Sequence, residues 1–232
     1  MNLFTIALLP WLGAAVVGLL PVGARRTHAW VAGAVALAVT GLLLQAAPVV
    51  FGGEVLRASV QWLPALGLNL GFRMDGLAWL FVLLIGGIGA LIVLYAAWYL
   101  DPEDPHSPSR RFFVFLLMFM GAMLGVVLAD NLVLLVLFWE LTSLASFLLI
   151  GYWHGRDDVG EDAREGARMA LAITGAGGLC LLAGALLLGD IAGSFSLDVV
   201  LASGDAIRAH PLYEVALVLV LLGAFTKSAQ FP

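Results

Sequence analysis

The sequence predicts an all-α integral membrane protein of about seven transmembrane helices, its N-terminus outside, with a short β-strand or hairpin on the outer surface between helices 2 and 3. Three observations carry this reading. Of the 232 residues, 62% are hydrophobic and 12% charged, with a mean hydropathy of +1.03; soluble domains carry about 25% charge. Apolar runs recur at lengths that cross a hydrocarbon core of roughly 30 Å as helices. The arginines gather in alternate connections, as the cytoplasmic bias of basic residues requires. The net charge of −5 and the lack of any basic stretch argue against a nucleic-acid partner.

The spans fall at about 3–22, 29–51, 76–98, 112–129, 131–153, 167–189 and 212–230. The first has no positive segment before it, and Arg25 and Arg26 follow it, so it reads as an uncleaved helix rather than a signal peptide. Odd-numbered connections are then cytoplasmic. They hold Arg25, Arg26, Arg110, Arg111, Arg156, Arg164 and Arg168, whereas the opposite loops hold only Arg57, Arg73 and Arg208.

Between the second and third spans, after a Trp62-Leu63-Pro64 break, Leu66, Leu68, Leu70, Phe72 and Met74 alternate with Gly67, Asn69, Gly71, Arg73 and Asp75. That period of two is a strand signature. Asp75 opens the third span, where a carboxylate suits the positive end of the helix dipole. Trp98 and Tyr99 close it as an interfacial aromatic belt. Only Asp130-Asn131 separates the fourth and fifth spans, so those helices are adjacent and antiparallel. Asp130 and Glu214 lie close enough to a membrane surface to be solvated. Gly155 to Glu165 reads as an acidic solvated loop. The sixth span is rich in small residues (Gly175, Ala176, Gly177, Gly178, Gly184), which let helix backbones approach closely. His28, His106, His154 and His210 fall in loops or at span edges and read as surface residues. The single cysteine, Cys180, excludes a disulfide framework or a cysteine metal cluster within the chain, and no cofactor or metal site is expected.

Two residues break the apolar pattern. Glu140 is the only charge between Asn131 and Trp153, roughly 14–15 Å into that helix at about 1.5 Å per residue. A carboxyl at such depth costs on the order of 3 kcal/mol or more, and intramembrane ionisable groups mark ion routes. Ser143, one turn along, is a candidate partner for it. Lys227 is the only lysine in the chain, set in Tyr213 to Pro232. Pro232 leaves the Ser228 carbonyl without its helical donor. With Thr226, Ser228 and Gln230 this points to a helix that breaks at membrane depth beside a hydrated cavity. An acid and a base alone in their helices read as a proton-translocating pair, Glu140 and Lys227, since a carboxylate stabilises the ammonium that desolvation disfavours.

Phe138-Trp139-Glu140-Leu141-Thr142-Ser143, continuing through Phe147 to Trp153, resembles the fifth helix of the antiporter-like membrane subunits. Thr226 to Pro232 resembles that family's broken seventh helix, and Phe72-Arg73-Met74-Asp75-Gly76-Leu77 fits the same pattern. Within the superfamily, Trp-Glu-Leu-Thr-Ser resembles the A subunit of Mrp-type multisubunit sodium/proton antiporters, whereas the respiratory complex I relatives more often follow the Glu with Gly-Val-Gly. The resemblance implies a component of a large complex in a bacterial plasma membrane, exchanging Na⁺ or K⁺ outward for H⁺ inward, with other antiporter subunits and the lipid bilayer as partners. Glu140 and Lys227 match the family's charged pair.

The family's subunits are about twice as long in helices, so the chain reads as a single membrane domain over 1–232, the N-terminal part of a larger subunit that stops within the seventh helix. By itself it is expected not to transport. Two alternatives share the residues: a proton-translocating subunit of a complex I-like NADH:quinone oxidoreductase or membrane hydrogenase, and a non-conducting membrane scaffold. The chain offers no cysteine cluster or nucleotide loop of its own for redox chemistry.

Overall fold

The computed structural model describes residues 2–63, 68–100 and 108–230. Within them, nine helices and one hairpin follow in the order α1 (Leu3–Leu19), α2 (Arg25–Phe51), β1 (Leu56–Leu63), β2 (Leu68–Met74), α3 (Gly76–Tyr99), α4 (Ser109–Leu128), α5 (Leu132–Ile150), α6 (Gly160–Ala192), α7 (Leu197–Ala202), α8 (Gly204–Ala209) and α9 (Tyr213–Lys227). A 3₁₀ turn, Gly151–Trp153, extends α5. Among the described residues, five helices are long and apolar enough to cross a membrane: α2, α3, α4, α5 with its 3₁₀ turn, and α6. The other two expected spans are shorter, 17 residues in α1 and 15 in α9, or about 26 and 22 Å of helix.

Side chains start several helices. Asn2 accepts from the Phe4 N–H at 3.0 Å, Asp75 from Ala78 at 2.9 Å, and Asn131 from Leu134 at 2.8 Å. Each satisfies a donor that the first turn leaves free. Asp75 is therefore the cap the sequence predicted. The first four helices and the start of α5 enclose one core, in which Leu43, Phe113, Leu117, Leu124 and Leu128 are fully buried. Beyond it, α6 lies along α5, and α9 lies along α6. Trp98 and Tyr99 are exposed at the end of α3, as an interfacial belt requires.

The alternating segment is the second strand of an antiparallel hairpin, pairing Leu56 with Met74 and Val60 with Leu70. Phe72 and Met74 turn inward; the Phe72 ring lies 5.1 Å from that of Phe4 and 6.0 Å from that of Phe138. Pro64 to Gly67, and the side chains of Trp62, Leu63 and Leu68, lie outside the described residues, as does His106.

Backbone bonds stitch this hairpin to the other connections on its end of the bundle. The Asp130 N–H donates to Gly71 O at 2.9 Å, Leu197 N to Asp130 O at 2.9 Å, and Leu132 N to Phe195 O at 3.0 Å. The Asn131 side chain donates to Asn69 O at 2.7 Å. An ion network overlies the seam, with Arg57 at 2.5 Å from Asp198 and 3.5 Å from Asp130. Arg73 lies 3.2 Å from Asp198 and 3.1 Å from Asp75. At the opposite end Arg110 donates to Leu20 O at 3.3 Å, and Arg111 donates to Tyr152 O and stacks over its ring. The two arginine groups expected on opposite membrane faces are thus at opposite ends of the bundle.

Three expectations are corrected. His28 is fully buried rather than superficial, because α2 starts at Arg25 and carries it inside; its ring bonds Ser109 Oγ at 3.0 Å and Pro21 O at 3.1 Å. The acidic loop is shorter than predicted: α6 begins at Gly160, its first turn holding Glu161 and Asp162 at the positive end of the dipole. Arg164 and Arg168 pair back to Glu161 at 3.2 and 3.5 Å. Asp130 is not freely solvated, since the hairpin and α7 cover it and leave its side chain 20% exposed. Its carboxyl is pushed above the usual carboxylate range by burial, against the pull of Arg57. Asp198, on the rim, is held below that range by its hydrogen bond from Arg57.

Candidate functional site

The α5 segment contains neither Pro nor Gly between its cap and Ile150, so an unbroken helix carries Glu140 at mid-length. Thr142 donates its hydroxyl to Trp139 O at 2.6 Å, and Ser143 donates to the same carbonyl at 3.4 Å. Both hydroxyl residues are buried. Glu140 and Ser143, three apart, share a helix face. That face meets α6 at Gly178, and the adjacent Gly177 meets α9. A Cβ on Gly178 would collide with the Glu140 carboxylate, and one on Gly177 with the Thr226 side chain of α9. The small-residue run that the sequence marked for close packing therefore forms the thin wall between the acid of α5 and the polar end of α9.

Lys227 closes the arrangement from the last turn of α9. Its Nζ donates to Ser143 Oγ at 2.9 Å and stands 5.9 Å from the centre of the Trp139 ring. The structure thus brings both predicted residues to one α5–α6–α9 junction. It does not join them directly: among the described residues no ion pair within 4.0 Å links Glu140 to Lys227. Ser143, read from sequence as a partner for Glu140, serves Lys227 instead. Glu140 Oε1 is buried and has no hydrogen-bond partner among the described residues, and the Trp139 indole N–H is in the same condition.

The polar residues around Lys227 divide. The Thr226 hydroxyl donates to Gly223 O at 3.0 Å and fills the Gly177 notch. Ser228 donates back to Ala224 O at 2.9 Å, and Gln230 is exposed. α9 ends where Ala229 takes a left-handed φ of 53° and the Gln230 N–H returns to Phe225 O at 2.9 Å, the six-residue closure of a helix C-terminus. Phe231 and Pro232, on which the expected helix break rested, lie outside the described residues.

Ser143 as the lysine's acceptor and the paired notches of α6 were missed in sequence. The i,i+3 spacing of Glu140 and Ser143 and the adjacent Gly177 and Gly178 were the available signals. Neither tells which neighbouring helix fills the space.

A helical membrane polypeptide with an acid and a base converging on a glycine seam is the class this geometry defines. The family described as "NADH:quinone oxidoreductase/Mrp antiporter, TM" matches residues 129–232, and "NADH-Ubiquinone oxidoreductase (complex I), chain 5 N-terminus" matches residues 62–113. Over both stretches the chain is similar to the antiporter-like membrane subunits. It is 55% identical over 225 residues to a probable K⁺/H⁺ antiporter A/B subunit of Rhizobium meliloti, covering 97% of this chain and 22% of that one. It is 47% identical to the Na⁺/H⁺ antiporter A subunit of Bacillus subtilis, covering 100% of this chain and 28% of the relative. A chain of the Mrp complex of Dietzia sp. DQ12-45-1b superposes with a TM-score of 0.79 at 34% identity, over 98% of this chain and 24% of that one. The chain thus spans about a quarter of the length of the relatives it matches.

Proposed function

We propose that the chain is the N-terminal, ion-handling part of the A subunit of an Mrp-type antiporter in a bacterial plasma membrane, exchanging Na⁺ or K⁺ for H⁺ with other subunits of the complex. The relatives' names support antiport. Glu140 and Lys227 are the proton-handling residues of this reading. The observation that supports it is that two costly ionisable groups, on helices far apart in sequence, lie at one junction, Glu140 against Gly178 and Lys227 on Ser143 of the same α5 face. A carboxylate and an amine near one another can exchange a proton or change places as partners when either is neutralised. Seven crossings with the N-terminus outside follow if α1 and α9 also span, which places the hairpin and the Arg57–Asp198 network on the outer face.

The test is dissipation of a pH gradient in everted vesicles of an antiporter-deficient strain that expresses the chain within its complete complex. Addition of Na⁺ or K⁺ should collapse the gradient with the wild-type chain. Glu140→Gln and Lys227→Ala, each still assembled, should lower the exchange rate at least tenfold. Exchange retained by both variants would demote the two residues to structural polar groups. A wild-type complex with no response to either cation would favour the redox-linked pump of the same family.

A further inference from the structure

Lys227 has two acceptors within reach of its junction and uses the neutral one. Ser143 Oγ takes its amine at 2.9 Å, while the buried Glu140 Oε1, one turn away on the same face of α5, has no hydrogen-bond partner among the described residues. We propose that Ser143 is a positioning residue, a docking group that holds the Lys227 amine off Glu140 and so makes the lysine a two-position element. The proposal deepens the antiport reading above by adding a residue to its site.

The chemistry suits a resting position. The Ser143 hydroxyl has one proton, directed at Trp139 O, and lone pairs left to accept. An ammonium and a neutral amine both donate to such an oxygen, so docking tolerates either protonation state of the lysine. A carboxylate instead favours the ammonium by direct charge attraction. The docked amine is also held near the Trp139 face, 5.9 Å from its centre, where a cation is attracted to the ring. The glycine wall limits the alternatives: with Gly178 against the carboxylate and Gly177 against Thr226, Glu140 has little room to follow the lysine. The long, unbranched lysine side chain is the part free to move.

Because Lys227 is the only lysine of these 232 residues, ¹⁵N-lysine labelling confined to this segment by ligation gives a single side-chain amine resonance. In the complete complex carrying this labelled segment, reconstituted into lipid bilayers, solid-state NMR should show that nitrogen in dipolar contact with a ¹³Cβ-labelled serine. In Ser143→Ala the serine signal should vanish and a coupling to a ¹³Cδ-labelled glutamate should appear, with a displaced amine resonance. Ser143→Thr, which keeps the hydroxyl, should restore the wild-type resonance. Three results would each overturn the proposal: no serine coupling in wild type, an unchanged resonance in Ser143→Ala, or a Ser143→Ala amine that leaves serine without approaching glutamate. No transport enters this measurement, so the antiport reading can fail while the docking stands, and the reverse.

Discussion

Gly178 of α6 faces the Glu140 carboxylate of α5 with no room between them for a side chain. The acid is therefore placed by the absence of an atom on a different helix as much as by its own backbone. In lipid, where no hydrophobic drive brings helices together, such close approach of small residues is what lets α5 and α6 meet.

Gly178→Ala should consequently lose exchange and destabilise the α5–α6 contact by about 1–3 kcal/mol, the usual penalty of overpacking. Gly175, three residues earlier, has open space where its Cβ would point, so Gly175→Ala should retain wild-type activity and melting behaviour. Equal behaviour of the two variants, in vesicle exchange and in a thermal-shift assay of the purified complex, would disprove the notch.

Asp198 and Asp130 share Arg57 but should respond to substitution with opposite signs. The Asp198 carboxyl is held low by its hydrogen bond from Arg57. Its contribution to stability is thus present above the unfolded value near 3.9 and is lost as pH falls through the lower folded value. Asp130 is pushed up by burial, so its charged form opposes folding, and that penalty is relieved as pH falls through its raised value. Asp198→Asn should destabilise the neutral-pH protein by less than about 1 kcal/mol, the scale of a solvent-screened pair, and Asp130→Asn should be neutral or stabilising. Melting temperatures of both variants at pH 7 and at about pH 3, below the unfolded carboxylate value, decide the matter; at pH 7 a loss of stability in Asp130→Asn larger than that in Asp198→Asn would refute the assignment.

His28 is expected to matter for the fold and not for transport chemistry. Replacing it by Ala removes the partner of Ser109 Oγ and of Pro21 O and leaves a cavity where α1, α2 and α4 meet. Unsatisfied buried groups cost about 1–3 kcal/mol each. His28→Ala should show faster protease cleavage between α1 and α2, with exchange per assembled complex unchanged.

Ala229 is strained. A left-handed φ of 53° costs a residue with a Cβ roughly 1–2 kcal/mol, which glycine avoids. Ala229→Gly should firm the end of α9, seen as slower amide exchange at Gln230, and Ala229→Val should speed that exchange. Indistinguishable rates would mean that the turn is not held in this conformation.

Much of this molecule can be read without coordinates. The hydrocarbon core rewards long apolar runs and penalises every charge, so composition alone marks membrane helices and makes Glu140 and Lys227 conspicuous. Strict alternation from Leu70 to Asp75 fixes a strand, because only one face of a pleat can be buried. The cap at Asp75 follows from its place before a helix.

The rest is decided by packing between segments distant in sequence. That Ser143 receives Lys227, that Gly178 makes space for Glu140, that Arg57 finds Asp198 and that His28 is buried against Ser109 each depends on a partner some tens of residues away or more. Periodicity reports which face of a helix is apolar, not which neighbour lies against it. The sequence by itself therefore determined the class of protein and the two ionisable residues that stand out in its apolar helices. Only the tertiary structure decided that the lysine rests on a serine while the glutamate stands unbonded beside it, because helix–helix registry in lipid is set by the shape of small residues, to which hydropathy is blind.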